Sequence, residues 1–350
     1  MNKPFNRTKF SGKKINLSHG AGGKAMQDLI DEIFVKGFAS PELELLEDQA
    51  RFNLSDLSKL GSRLAMTTDS YVVDPLFFPG GDIGKLAVTG TVNDLAVGGA
   101  IPLYLSCGMI IEEGFSIDDL QLIVASMKKT ADEAGVRIVT GDTKVVPRGA
   151  ADKLFINTAG VGVIAEQTNI LASRAQVGDV VIINGFVGDH GAAIVDARGE
   201  LALEMSVETD CQPLNQLIQV MLKVCPDIHC MRDATRGGLA TILNEFAVQS
   251  TVAIELEQVK IPVREEVRGV CEVLGLDPLY LANEGKLVAI VPEKYAESLL
   301  DVMLKHPAGL NSAIIGKIAE SPHGKVILNT GFGGKRIIDT LIGEQLPRIC

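Results

Sequence analysis

A chain of 350 residues with 46% hydrophobic content can bury a large core, and its length suggests two domains. The net charge of -11 argues against a nucleic-acid partner, because a phosphate backbone demands clustered Lys and Arg. No run of 18 apolar residues is available to span a membrane, and the six cysteines (107, 211, 225, 230, 271 and 350) lack framework spacing, so reduced thiols in a cytoplasmic setting are expected.

The first residues carry Lys3, Arg7, Lys9, Lys13 and Lys14 with no acidic group and no apolar stretch of the signal-peptide kind, so residues 1–16 read as a disordered extension. Gly20-Ala21-Gly22-Gly23 then feeds a helix over 24–38, whose apolar face is Met26, Leu29, Ile30, Ile33, Phe34 and Phe38. A strand over 63–68 ends at Asp69. The small and apolar residues of 83–97 suit a buried helix, and Ser116 with Asp119 forms a capping-box pattern opening a helix over 117–134. Strands follow at 136–140 and 154–164, with Gly141-Asp142-Thr143-Lys144 between them as a polar turn.

The polar stretch 168–176 reads as a connection, dividing the chain into units 17–168 and 169–342. The second unit offers a strand at 180–184, a helix ending near Arg198, an amphipathic helix over 213–224 and a helix over 239–249. A strand at 252–256, a helix over 262–274, a strand at 286–291, a helix over 293–306 and strands near 313–318 and 325–328 complete it. Helices and strands do not alternate regularly enough for a doubly wound sheet. The fold class expected is therefore α+β, two mixed αβ domains followed by a mobile tail, 343–350.

Asp48, Asp69, Asp94 and Asp142 sit at expected loop or element ends. Mg²⁺ is a hard ion that takes oxygen ligands and is shared between a few carboxylates and substrate phosphates. A single Asp at a strand end is more often a turn residue, and spacing does not show that the four converge. Gly20 to Gly23, Gly80-Gly81, Gly188 to Gly191 and Gly237-Gly238 offer backbone N–H groups to phosphate, but none fits the P-loop pattern. Cys225, His229 and Cys230 lie close together without further ligands at metal spacing and read as structural. The chain ends in Leu346-Pro347-Arg348-Ile349-Cys350; eight extended residues reach roughly 26–29 Å, so Cys350 is placed to be carried.

Several strings resemble a known family. They are Ser18-His19-Gly20-Ala21-Gly22-Gly23, Thr67-Thr68-Asp69-Ser70-Tyr71-Val72-Val73-Asp74-Pro75 and Phe78-Pro79-Gly80-Gly81-Asp82-Ile83-Gly84-Lys85-Leu86. They continue with Thr91-Val92-Asn93-Asp94-Leu95-Ala96, Thr140-Gly141-Asp142-Thr143-Lys144-Val145, Gly188-Asp189-His190-Gly191, Arg232-Asp233-Ala234-Thr235-Arg236-Gly237-Gly238, Asn283-Glu284-Gly285-Lys286-Leu287 and the terminal Pro347-Arg348-Ile349-Cys350. Together, from about Leu17 to Cys350, they are similar to the HypE family of hydrogenase maturation proteins. The tail cysteine separates that family from its ATP-using relatives, the aminoimidazole ribonucleotide synthetases, selenophosphate synthetases and thiamine-monophosphate kinases.

The resemblance implies an ATP-dependent dehydratase acting on its own C-terminal thiol, with ATP and Mg²⁺ as cofactors. A carbamoyltransferase would load Cys350, and the resulting cyanide would pass to an iron-carrying hydrogenase maturation complex. A homodimer with ATP near its interface is also implied. On this reading Cys350, Glu284 and Lys144 are catalytic. Asp48, Asp69, Asp82, Asn93, Asp94, Asp142, Gly22 and Gly23 bind nucleotide, and Asp48, Asp69, Asp94 and Asp142 bind metal. Glu284 is the expected base for the protons leaving nitrogen, and Lys144 the cation offsetting charge on oxygen and phosphate. Two other readings stand beside it: an enzyme of the same fold that uses ATP on a diffusible small molecule, and a non-enzymatic, ATP-regulated carrier or scaffold that displays Cys350 to partners.

Overall fold

The structure is a computed structural model and describes residues 13–199, 206–343 and 346–350. The expected extension falls outside it up to residue 12. Of residues 13–16, expected to belong to that extension, Ile15 is instead buried at the edge of the first core and exchanges backbone hydrogen bonds with Phe115 and Gly114, while Lys13, Lys14 and Asn16 are exposed.

Six strands come from the N-terminal half: β1 (Arg63–Tyr71), the short β2 (Phe77–Phe78) and β3 (Gly81–Asp82), β4 (Ala100–Glu112), β5 (Arg137–Val146) and β6 (Leu154–Ile164). Four of them form one sheet in the order β1-β6-β4-β5, antiparallel except for the β4–β5 pair. The helices Ile83–Val97 and Ile117–Ala134 cover its inner face. Ser116 Oγ accepts the Asp119 amide, the cap that its sequence pattern predicts.

Unlike the inner face with its two helices, the opposite face of this sheet is covered by no layer of helices among the described residues. Leu64, Met66 and Ile110 stand 61%, 75% and 44% exposed on it, and Phe52 stacks on Tyr104 with ring centroids 3.7 Å apart.

In the C-terminal half, β7 (Val180–Ile183), β8 (Cys230–Asp233), β9 (Ala253–Glu257), β10 (Leu287–Val291), β11 (Ala313–Ala319), β12 (Lys325–Asn329) and β13 (Lys335–Ile338) form a mixed sheet. Its order is β13-β12-β9-β11-β7-β10-β8. The layers and mixed sheets are those of an α+β protein, as expected. The Ile83–Val97 helix is small and apolar over most of its surface because it is covered on more than one side: the first sheet lies on one side, and β8 and the Asn215–Val224 helix of the second half lie on another.

One local expectation is overturned with consequences for the site. Gly141-Asp142-Thr143-Lys144 is no turn; β5 continues through it, pairing Gly108 with Asp142 and Ile110 with Lys144. Ladder pairing overrides the turn preference of Gly and Asp, and Gly141 is needed because a Cβ there would come within 2.4 Å of the Cys107 carbonyl oxygen. Likewise Asp69 lies inside β1 rather than at its end. Cys107 is a buried strand residue, as its apolar surroundings suggest.

Candidate active site

Strand alternation sorts the acidic residues. Asp69 pairs with Thr158, and Thr158 with the buried Cys107, so this row faces the helices. Asp142 pairs one residue along, with Gly108, which pairs with Asn157 and so with Ser70, and that row faces away. The four acids expected to bind metal, two ions on one triphosphate, therefore fall into two sets. Asp142 and Lys144 are ion-paired to each other and exposed on the outer face. Asp48 is in an exposed loop four residues before Phe52, whose ring lies against Tyr104.

Asp69 and Asp94 belong to the inner set, where Asp94 accepts a hydrogen bond from Thr67 at 2.9 Å. Asp233, at the end of β8, joins them. Burial, with Asp94 and then Asp69 adding like charge, pushes its carboxyl up to about 7, and Asp94 is itself raised by burial. Among the described residues no three His, Cys, Asp or Glu side chains are preassembled to hold a metal ion. Crowded, proton-retaining carboxylates still suit a cation that arrives with phosphate oxygens of its own.

Two expected nucleotide ligands are already committed elsewhere. Asp82 caps the Ile83–Val97 helix, its Oδ1 accepting the Gly84 and Lys85 amides at 2.7 and 3.1 Å. Asn93 bridges the halves of the molecule, donating to the carbonyls of Gln212 and Glu284 and accepting the Leu214 amide. Its amide is a strut that holds the Glu284 segment. Gly23 is the N-cap of the Lys24–Leu29 helix and Gly22 has φ +77° with open space around it, so this loop stays available to a ligand.

Glu284 is buried, and its Oε1 has no hydrogen-bond partner. Its loop is pinned from below: Asp210 accepts the amides of Glu284 and Gly285 at 3.0 and 3.1 Å and pairs with Lys286 at 3.1 Å. A Cβ on Gly285 would lie 1.9 Å from the Asp210 carbonyl oxygen, so only glycine permits this approach. Burial drives the Glu284 carboxyl well above the ordinary carboxylate range. The charges of Asp210, Asp233 and Asp69 act in the same direction, and Arg236 opposes them. Burial would raise Asp210 too, but Lys286 and the Glu284 amide hold it below its usual value.

The tail, read from the sequence as an arm able to carry Cys350, is docked here from Leu346 to Cys350. Leu346, Ile349 and Cys350 pack against the first core, and Ile349 is 6% exposed. Val72 and Asp74 donate their amides to the carbonyls of Cys350 and Arg348, continuing the line of β1. Arg348 reaches the Val72 carbonyl and Asp152. The docked thiol is pushed up to about 12 by burial and by the nearby Glu284, with Arg236 acting against them and Asp69 with them. Cys350 and Glu284 thus share one electrostatic site, and a cavity of about 380 Å³ lined by Arg236, Leu281, Ala282, Ile349 and Cys350 adjoins it.

Lys144 does not join them within one chain, because the alternation of β5 places it on the far side of the sheet. Arg236 lines the cavity beside Cys350, and its charge opposes the rise of both Cys350 and Glu284. Its string was conspicuous in the sequence, but nothing local marked Arg236 over Arg232, and Asp210 had no signal of any kind.

Residues 47–164 match the N-terminal domain, and 176–329 the C-terminal domain, of AIR synthase related proteins. The carbamoyl dehydratase HypE of Rhodobacter capsulatus is 53% identical to the chain over 338 residues, covering 97% of this chain and 98% of that protein. This chain belongs to the HypE family. A solved hydrogenase maturation protein HypE in complex with ATP superposes with a TM-score of 0.90 at 50% identity, covering 95% of this chain and 99% of that one. A chain of a solved HypE–HypF complex matches with a TM-score of 0.78 at 46% identity, over 89% of this chain and 99% of that one. The activity of this HypE-family chain is accordingly carbamoyl dehydration in hydrogenase maturation. No helix among the described residues is long and apolar enough to cross a membrane. Cys225, His229 and Cys230 stay outside this chemistry: both thiols are buried, and His229 pairs with Asp179 at 2.7 Å.

Proposed function

We propose that Cys350 is the thiol that bears the carbamoyl group and that Glu284 is the base that completes its dehydration. The observation that carries this is the docked tail, which brings the last thiol of the chain into the field of a buried carboxylate with a free oxygen. A carboxamide oxygen is a poor leaving group until it is esterified. In the first step the thiocarbamate oxygen takes the γ-phosphoryl of ATP, ADP departs, and one N–H proton passes to solvent water to leave S–C(O-phosphate)=NH. In the second, the C–O bond breaks, Glu284 Oε1 takes the remaining N–H proton, and S–C≡N forms as phosphate leaves. The water removed ends in the phosphate.

Arg236, lining the cavity beside the thiol, stabilises charge developing on the oxygen. Asp69 and Asp94, with Asp233, would hold magnesium together with the phosphates, where the ion supplies charge neutralisation. Burial and the Glu284 charge disfavour the thiolate of the docked tail, so loading by a carbamoyltransferase belongs to an undocked tail, whereas the neutral thiocarbamate suits the docked one. The HypE–HypF complex supports such a partner, and an iron-carrying complex would receive the cyanide.

Intact-protein mass spectrometry tests this reading. After carbamoylation, added Mg-ATP should shift the Cys350 peptide down by the mass of one water. An adduct that persists unchanged would favour a carrier, and turnover of a free metabolite by a chain lacking Cys350 would favour the diffusible-substrate reading.

The apolar outer face of the first sheet supports a homodimer, and such a contact would carry Asp142, Lys144 and Asp48 into the interface. The two acidic sets then meet on one nucleotide only when a second protomer is present. Leu64→Glu combined with Met66→Glu is expected to convert the dimer to monomer in sedimentation and to weaken ATP binding with it. A double variant that stays dimeric would remove this interface.

A further inference from the structure

We infer that the helix Asp189–Arg198 is a clamp for the C-terminal tail, in which His190 and Arg198 are positioning residues that seat Cys350 at Glu284 by holding the tail's backbone carbonyls. The inference rests on the reading of Cys350 as the modified thiol and adds the groups that decide when it is seated.

One helix contributes both grips. Its second residue, the buried His190, meets the Ile349 carbonyl through Nε2 at 2.8 Å. Its last residue, Arg198, donates Nη2 to the carbonyls of Pro347 and Arg348 and Nε to the Asp74 carbonyl at 3.1 Å, tying the tail to the chain beyond β1. Three consecutive tail carbonyls are therefore held from one side.

The hydrogen-bond directions around His190 are fixed. A carbonyl only accepts, so Nε2 carries the proton. Thr209 Oγ1 already accepts the Cys211 amide at 3.1 Å, and it donates its own hydrogen to Nδ1 at 2.8 Å. The neutral imidazole with Nε2–H satisfies every partner at once. The Phe78 ring packs edge-on at 5.6 Å and helps keep the imidazole in this orientation. Burial, opposed by the Asp210 charge and the Ile349 carbonyl, lowers its proton affinity and favours that neutral form.

Backbone carbonyls are the same whatever Cys350 carries, so this grip serves thiol, thiocarbamate and thiocyanate alike. Releasing it frees the tail for loading; closing it presents the adduct to the base. Removing a grip therefore has opposite effects on the two half-reactions.

The test alkylates wild type, His190→Leu, His190→Gln and Arg198→Ala with iodoacetamide and reads each cysteine by peptide mass spectrometry. Cys107, Cys211, Cys225, Cys230 and Cys271 are buried and report whether the fold is kept. Cys350 should react roughly tenfold faster in His190→Leu and in Arg198→Ala, the scale of one lost hydrogen bond of this kind. His190→Gln, whose amide can still donate to the Ile349 carbonyl, should stay near wild type. In the two loosened variants carbamoyl loading should run at least as fast as in wild type while dehydration of the adduct slows, a pairing that general damage does not produce.

Wild-type Cys350 reactivity in both loosened variants overturns the clamp. If His190→Leu exposes all six thiols, Arg198→Ala decides alone, because that side chain is only half-buried and its loss leaves the core intact. If Cys350 alone becomes reactive yet never accepts a carbamoyl group, the clamp stands and the reading of Cys350 as acceptor fails.

Discussion

Glu284→Gln is expected to accumulate carbamoylated Cys350 and to dehydrate it roughly 10²- to 10⁴-fold more slowly, the usual contribution of a positioned general base. Glutamine keeps the size of the side chain and the amide bonds that Asp210 makes to this loop, so the defect isolates proton removal. The pH dependence gives a second handle. Glu284 must be ionised to accept the proton, and burial with the surrounding acids raises its carboxyl above the ordinary range. The wild-type rate should therefore fall as pH drops through a midpoint higher than that of an ordinary carboxylate, and this limb should be absent from the residual rate of the variant.

Stability follows the opposite sign. The native state holds the Glu284 proton more tightly than the unfolded chain does. Its contribution is complete below the unfolded pKa and is lost as pH rises through the raised folded one. Glu284→Gln removes that loss, so thermal denaturation at alkaline pH should show the variant gaining on wild type. Equal pH profiles for rate and stability in both proteins would remove Glu284 from the role of base.

Cys350→Ala should abolish the reaction outright: no carbamoyl adduct and no cyanated product by intact mass, with ATP binding retained. Its cost in stability should be about 1 kcal/mol or less, within the range of ordinary substitutions. The reason lies in how the tail is held. His190, Arg198, Val72 and Asp74 bind backbone groups of residues 347–350, and Ile349 supplies the buried side chain, so the thiol is cargo on an anchor made by others. A cyanated product from this variant would refute the carried-thiol mechanism, and a large drop in melting temperature would show that the sulfur itself docks the tail.

The sequence alone determined what local chemistry encodes. The small and apolar helix over 83–97 and the Ser116 cap follow from residue composition and capping, and each is found where that chemistry requires. Chain position marked Cys350 and the acidic residues, and family resemblance joined them with Glu284 in one chemistry, since unbroken strings persist through a whole chain even when their roles are not local.

Tertiary structure alone decided which of these residues meet. Whether Gly141–Lys144 turns or continues depends on a parallel partner, β4, more than twenty residues upstream, and that choice alone sends Asp142 and Lys144 to the face away from Asp69. Asn93 and Asp82, offered by the motif as nucleotide ligands, also make bonds to distant backbone groups or to helix-end amides that no spacing reveals. Arg236, Asp210, His190 and Arg198 acquire meaning only because the second half of the chain folds back on the first and the last five residues return to the end of β1. Strand pairing and burial join residues remote in sequence, and the resulting fields and hydrogen bonds exist only once that packing is complete.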